Sequence, residues 1–219
     1  MTNAMALLRL MSWLSPVFPI GGFAYSAGLE QSVHAGHVGD RNSLADWICV
    51  QIAQGALWND AVILVDAHRA AGDDQATADL SALCRALCTS QERLDETVGQ
   101  GTSFLEAVSH WIGRDQLPGR ATPLPVAIGV AAGLERIDPQ LTVSAYLHAF
   151  VSNQLQCAIR LSVLGQEGAA QALAGLEAAI ERTAGRAAAA TLDDLGSAAF
   201  IADIASMNHE TLQPRLFLS

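Results

Sequence analysis

Val143-Ser144-Ala145-Tyr146-Leu147-His148-Ala149-Phe150-Val151-Ser152-Asn153-Gln154-Leu155-Gln156-Cys157-Ala158 is the most informative stretch for the fold. Its apolar residues Val143, Leu147, Phe150, Val151, Leu155 and Ala158 recur at the helical period, so a helix here turns one continuous stripe toward a core. The same spacing recurs upstream in Leu44, Trp47, Ile48 and Ile52, in Leu80, Leu83, Cys84, Leu87 and Cys88, and in Phe104, Val108, Trp111 and Ile112. Alternation of period two, the mark of a half-buried strand, is scarce.

Punctuation agrees with helices. Asp40 or Ser43 can cap the segment that starts near Leu44, and Asp138 precedes Pro139, a cap followed by a first-turn proline. Leu117 to Pro125 holds Pro118, Gly119, Pro123 and Pro125, which cannot continue a helix and read as a loop before the apolar run Val126 to Leu134. Gln171 to Ala190 is dominated by alanine, a strong helix former small enough to admit a close neighbour. The expected fold is an all-α, single-domain helical bundle of about eight to ten helices, a count bounded by length and loop needs.

Composition narrows the function. The 219 residues are long enough to bury a substantial core, and the combination of 51% hydrophobic with 16% charged residues suggests that part of the surface is committed to other proteins. Net charge is -10, and the 12 basic residues are all arginine. That balance argues against nucleic acid, and the missing lysine excludes a Walker A loop and Schiff-base chemistry. Cys49, Cys84, Cys88 and Cys157 match no disulfide scaffold and suit a reducing, cytoplasmic setting. The opening residues lack the ordered regions of an export signal, and the most apolar internal run, Ala61 to Val65, is far shorter than a membrane span; no membrane association is expected.

Candidate chemistry is thin. No nucleophile serine sits between framing glycines, and no acidic pair stands out as general acid and base, so no active site can be named from the residues. His34 and His37 are close enough on a helix to share a metal, although Gly36 and Gly39 disturb the geometry. His68, His110, His148 and His209 are scattered singly, and Cys84 with Cys88 reads better as core than as ligands. Neither a metal nor another cofactor is assigned.

Two regions escape the helical pattern. Ser15-Pro16-Val17-Phe18-Pro19-Ile20-Gly21-Gly22-Phe23-Ala24-Tyr25-Ser26-Ala27-Gly28-Leu29-Glu30 reads as a stiff turn, with Gly21 or Gly22 free to take positive φ, leading into a helix beginning around Phe23 to Ser26. Its aromatics could equally fill the core or form a recognition surface. At the other end, Pro214 stops any helix before Arg215, Leu216, Phe217 and Leu218, which read either as a frayed end or as a docking peptide of apolar groups oriented by a guanidinium.

These residues carry a resemblance. Residues Ser15 to Glu30 resemble the Ser-Pro-x-Phe-Pro-x-Gly-x-Phe-x-Tyr-Ser-x-Gly-Leu-Glu signature of the urease accessory protein UreF family. Pro125 to Ala132, the Arg160-Leu161 and Leu164-Gly165-Gln166 pairings, and Met207-Asn208-His209-Glu210-Thr211 followed by Arg215 to Ser219 are similar to further blocks of that family. Asn208 and Leu218 stand where the family often has arginine, and Ala27 where glutamine is common, so two cations are missing from the tail.

The resemblance implies a scaffold that joins UreD (also called UreH), recruits the nickel-carrying GTPase UreG, modulates its GTP hydrolysis and acts on apo-urease as a homodimer. It implies partner contacts at Tyr25, Ser26, Gly28, Leu29 and Glu30 on the GTPase side, at Arg215 and Phe217 on the UreD side, and at Arg160 near the dimer contact. It also implies one domain over residues 1–219, with a mobile N-terminal segment and a docking tail from about residue 207. The alternative is a nickel-binding metallochaperone carrying the ion on His34, His37 and His209.

Overall fold

A computed structural model describes residues 2–219. Ten α-helices follow one another: α1 (Asn3–Trp13), α2 (Leu29–His34), α3 (Arg41–Gln54), α4 (Ala56–Arg69), α5 (Asp74–Ala86), α6 (Gln91–Val108), α7 (Leu124–Leu134), α8 (Pro139–Arg160), α9 (Gln166–Ala189) and α10 (Phe200–His209). Short 3-10 turns occupy Gly22–Ala24, Arg114–Gln116 and Leu192–Asp194, and no strand occurs among the described residues. The all-α expectation holds.

The capping chemistry works locally. Asp40 and Ser43 both cap α3 in one reciprocal box, Asp40 accepting the Ser43 amide while the Ser43 hydroxyl accepts the Asp40 amide. Asp138 accepts the Leu141 amide ahead of Pro139. Asp73 and Ser90 do the same for α5 and α6.

The core is built around α7 and α4. Every residue of α7 from Leu124 to Ala132 is buried, so this helix has no polar face at all. A methyl on Gly129 would run into the Leu64 carbonyl of α4, which is why the two backbones approach so closely. α8 and α9 pack together on one side, α6 lies against α7, and α3 closes against α9. Arg41–Arg69, counted through Gly55, is long and apolar enough to cross a bilayer, but 72% of its apolar window is buried inside the protein; it is a core element.

The stripes land where their spacing puts them, with instructive exceptions. Val143, Leu147, Val151, Leu155 and Ala158 are buried along α8. On the second stripe α5 stops at Ala86, leaving Leu87 and Cys88 outside it, where the Cys88 thiol donates to the Cys84 carbonyl. Burial pushes the Cys84 thiol far up, as expected of a small core residue rather than a nucleophile. Residues 3–13 form α1, which buries Ala6, Leu10 and Trp13 while Leu7, Leu8 and Met11 face solvent.

One expectation needs correcting. The elbow does not enter a helix at Phe23 to Ser26; α2 starts only at Leu29. Ala27 (φ 51) and Gly28 (φ 79) are both left-handed, which breaks the right-handed path until the chain has turned. Gly21, as the turn reading requires, also has positive φ, 71.

Candidate functional site

The elbow and the carboxyl-terminal segment, at opposite ends of the sequence, clasp each other. Ser26 donates its amide and hydroxyl to the Ser219 carbonyl at 2.7 and 2.5 Å, and the Leu218 amide donates to the Ala24 carbonyl at 2.7 Å. Glu30 at the start of α2 receives the Leu216 amide on Oε1 at 2.7 Å and the Phe217 amide on Oε2 at 3.0 Å. Two consecutive backbone donors on one carboxylate hold the tail in register.

α10 supplies the second half of the clasp. His209, fully buried, sets Nε2 3.1 Å from Glu30 Oε2 and Nδ1 2.7 Å from Glu92 Oε2, and Glu92 Oε1 takes the Arg215 guanidinium at 2.5 Å. Ser219 donates its hydroxyl to Glu96 at 3.2 Å. The backbone of α10 lies so near the elbow that a Cβ on Gly28 would stand 3.0 Å from the Ser206 nitrogen. Glycine at this left-handed position therefore meets two demands, conformation and space.

α8 braces the join from behind. Asn153 and Gln154 donate to the Tyr25 and Ser26 carbonyls at 3.0 and 2.9 Å. Arg160 donates to the Phe23 carbonyl at 2.8 Å while its guanidinium lies 4.2 Å from the centroid of the buried Phe217 ring. One arginine thus touches elbow and tail at once.

A buried ionic file runs inward from the clasp. Glu96 faces Arg93, which pairs with Asp60 of α4, and Asp60 also accepts the Tyr146 hydroxyl at 2.7 Å. Burial lifts the Glu96 carboxyl above the usual carboxylate range against the pull of Arg93. Burial and the adjacent Asp60 charge together hold the Tyr146 phenol well above its ordinary value.

The residues expected to meet partners are therefore brought together, but mostly inward. Ser26, Gly28, Leu29, Glu30 and Phe217 are buried, Tyr25 is half-buried, and Arg160 and Arg215 remain exposed. The terminal segment is folded onto its own chain, neither frayed nor projecting. What faces outward is the other edge of the same construction. Leu216 (61% exposed) and Leu218 (55%) alternate with inward Phe217 and Ser219, and α10 separately exposes Phe200, Ile201, Ile204 and Met207. A second apolar hollow of about 910 Å³ lies between α1, the elbow and α8, lined by Leu7, Met11, Val17, Phe23, Leu141 and Ala145. Patches of this kind on a folded chain mark association surfaces.

Glu92 and Glu96 were not singled out in sequence. Glu96 falls in phase with Gln100 and Phe104, four and eight residues on, so its place on the inward face of α6 was available; its partners were not. His34 and His37 are both exposed, and Gly36 between them is left-handed. Among the described residues no group of three His, Cys, Asp or Glu side chains is arranged to hold a metal ion.

The UreF family model matches residues 38–177, more than half of the chain. This chain belongs to the UreF family. It is 50% identical over 216 residues to the urease accessory protein UreF of Rhizobium etli, covering 98% of this chain and 96% of that one. It is 49% identical to the Agrobacterium fabrum UreF over the same shares, and 45% identical to UreF 1 of Brucella anthropi, covering 97% of this chain and 93% of that one. Coverage of this order leaves only a few residues of this chain outside each match.

Proposed function

We propose that the chain is a non-catalytic scaffold for nickel insertion into apo-urease, working in the cytoplasm. It bridges UreD and the nickel-carrying GTPase UreG as a homodimer, and modulates GTP hydrolysis by UreG. Membership of the urease accessory protein UreF family supports this reading at its broadest. The observation that carries it further is the solvent exposure of the apolar residues Phe200, Ile201, Ile204 and Met207 on α10 and of Leu216 and Leu218 on the hydrogen-bonded terminal segment. Exposed apolar residues held in place by buried hydrogen bonds suit the docking of another folded protein.

On this reading UreD seats on α10 and the terminal segment. The signature residues Ser26, Gly28, Glu30 and Phe217 act from beneath, as the frame that presents Leu216 and Leu218. Tyr25, Arg160 and Arg215, which reach the surface, are the members of the expected set able to touch UreG, a second copy or UreD directly. A metallochaperone carrying nickel on its own histidines draws no support from the geometry of His34, His37 and the buried His209.

Coexpression with UreD, UreG and the urease subunits tests the proposal, comparing the full chain with a version ending at Gln213. Loss of copurification with UreD on truncation is expected. A normal complex from the shortened chain would overturn the placement of UreD.

A further inference from the structure

His209 shows no accessible surface, and each of its ring nitrogens faces a carboxylate oxygen, Nδ1 toward Glu92 at 2.7 Å and Nε2 toward Glu30 at 3.1 Å. A neutral imidazole carries one N–H and one bare lone pair. With both carboxylates ionised, one of these two contacts would set lone pair against lone pair. The surrounding donors offer no escape, because the Leu216 and Phe217 amides on Glu30 and the Arg215 guanidinium on Glu92 can only donate. The arrangement therefore calls for one proton beyond the neutral imidazole's own. With that proton, two carboxylates, one imidazole and one guanidinium come out neutral; without it, a single negative charge is left uncompensated in a buried place.

We propose that residues 215–219 form a proton-locked strap, closed while Glu30, His209 and Glu92 share this additional proton and released as it departs. The charged groups around the strap are otherwise committed. Glu96 and Arg93 on α6 pair with each other, Arg93 also holds Asp60, and Arg160 on α8 lies over Phe217. The carboxylate of Glu210, next to His209 in sequence, accepts the Gln91 amide. Among the described residues, no cation besides His209 and Arg215 pairs with Glu30 or Glu92 to replace the lost proton. Release would move Leu216 and Leu218 from their outward-facing positions on the clasp, so the strap would govern docking; that consequence rests on the proposed function, while the strap itself does not.

Opening linked to the loss of one proton grows more favourable by up to about tenfold per pH unit. Hydrogen exchange of the Leu216 and Phe217 amides in the isolated full-length chain reads it directly, once corrected for intrinsic exchange, at a series of pH values across the range in which the chain stays folded. A rising opening constant in the wild type is expected, with a flat profile in His209→Gln and in Glu92→Gln. Glu92→Gln removes one carboxylate and lets a neutral imidazole donate to Glu30 while accepting from the new amide, so it keeps the test alive if His209→Gln does not fold. A flat wild-type profile, or a slope that survives in folded Glu92→Gln, overturns the proposal. Because no partner is present, failure of UreD docking leaves this result untouched.

Discussion

Glu30 and His209 lie 179 positions apart in sequence and meet at 3.1 Å in a buried contact that joins the start of α2 to the end of α10. Glu30 also takes two tail amides, so one carboxylate ties together elbow, last helix and terminal segment. Replacing it with glutamine leaves one carbonyl acceptor and turns an NH2 group toward donors. Glu30→Gln should lower stability in urea denaturation by about 1.5–3 kcal/mol, the usual worth of hydrogen bonds to a charged group. A loss below a few tenths of a kcal/mol would show that the clasp contributes little to holding the fold.

Gly28 and Gly21 separate conformation from space. Both are left-handed, but a Cβ at Gly21 meets nothing within 4 Å, whereas at Gly28 it meets the Ser206 backbone at 3.0 Å. Gly21→Ala should cost about 1–2 kcal/mol from the backbone alone, and Gly28→Ala clearly more, because α10 must also move. Equal melting-temperature drops in the two variants would contradict this close approach.

Leu216 and Leu218 point away from the core, so changing them tests recognition without disturbing the clasp. Leu216→Asp and Leu218→Asp should each shift stability by no more than about 0.5 kcal/mol, as exposed substitutions do. Combined, they should still abolish copurification with UreD. Full retention of UreD by the folded double variant would move the docking surface elsewhere.

Glu96 gives a pH signature of opposite sign to the ordinary carboxylate. Burial raises its folded-state pKa above the ordinary carboxylate range, so the folded chain holds this proton more tightly than the unfolded one. Stability from this group is greatest below the unfolded value and falls as pH rises through the folded value. Glu96→Gln, which cannot ionise, should therefore gain on the wild type as pH is raised across that window. Urea denaturation series at several pH values would check it, and a difference between the two proteins that does not change with pH would refute it.

Much of the architecture was legible from periodicity. The α8 stripe, the Asp40 and Asp138 caps and the proline loop before α7 are local facts, set by side-chain spacing and by hydrogen bonds within a few residues. The elbow was only half legible. Gly21 announces a left-handed turn because glycine favours it, while Ala27 in the same conformation announces nothing, since alanine avoids positive φ unless packing compels it. The resemblance to UreF drew attention to residues at both ends of the chain; that Ser26 and Glu30 meet the terminal segment in one clasp came from the packing alone.

By itself, then, the sequence determined that these residues form helices, where α3 and α8 begin, and which family they resemble. All three depend on neighbours close along the chain or on an order of residues shared with a family. Only the tertiary structure decided that Ser26 meets Ser219, that Glu30 and Glu92 flank His209, and that Phe217 faces in while Leu216 and Leu218 face out. The physical reason is that inward and outward are properties of a packed surface. A carboxylate at position 30 has no preference for an imidazole at position 209 until ten helices have buried their apolar faces and excluded water from the space between them.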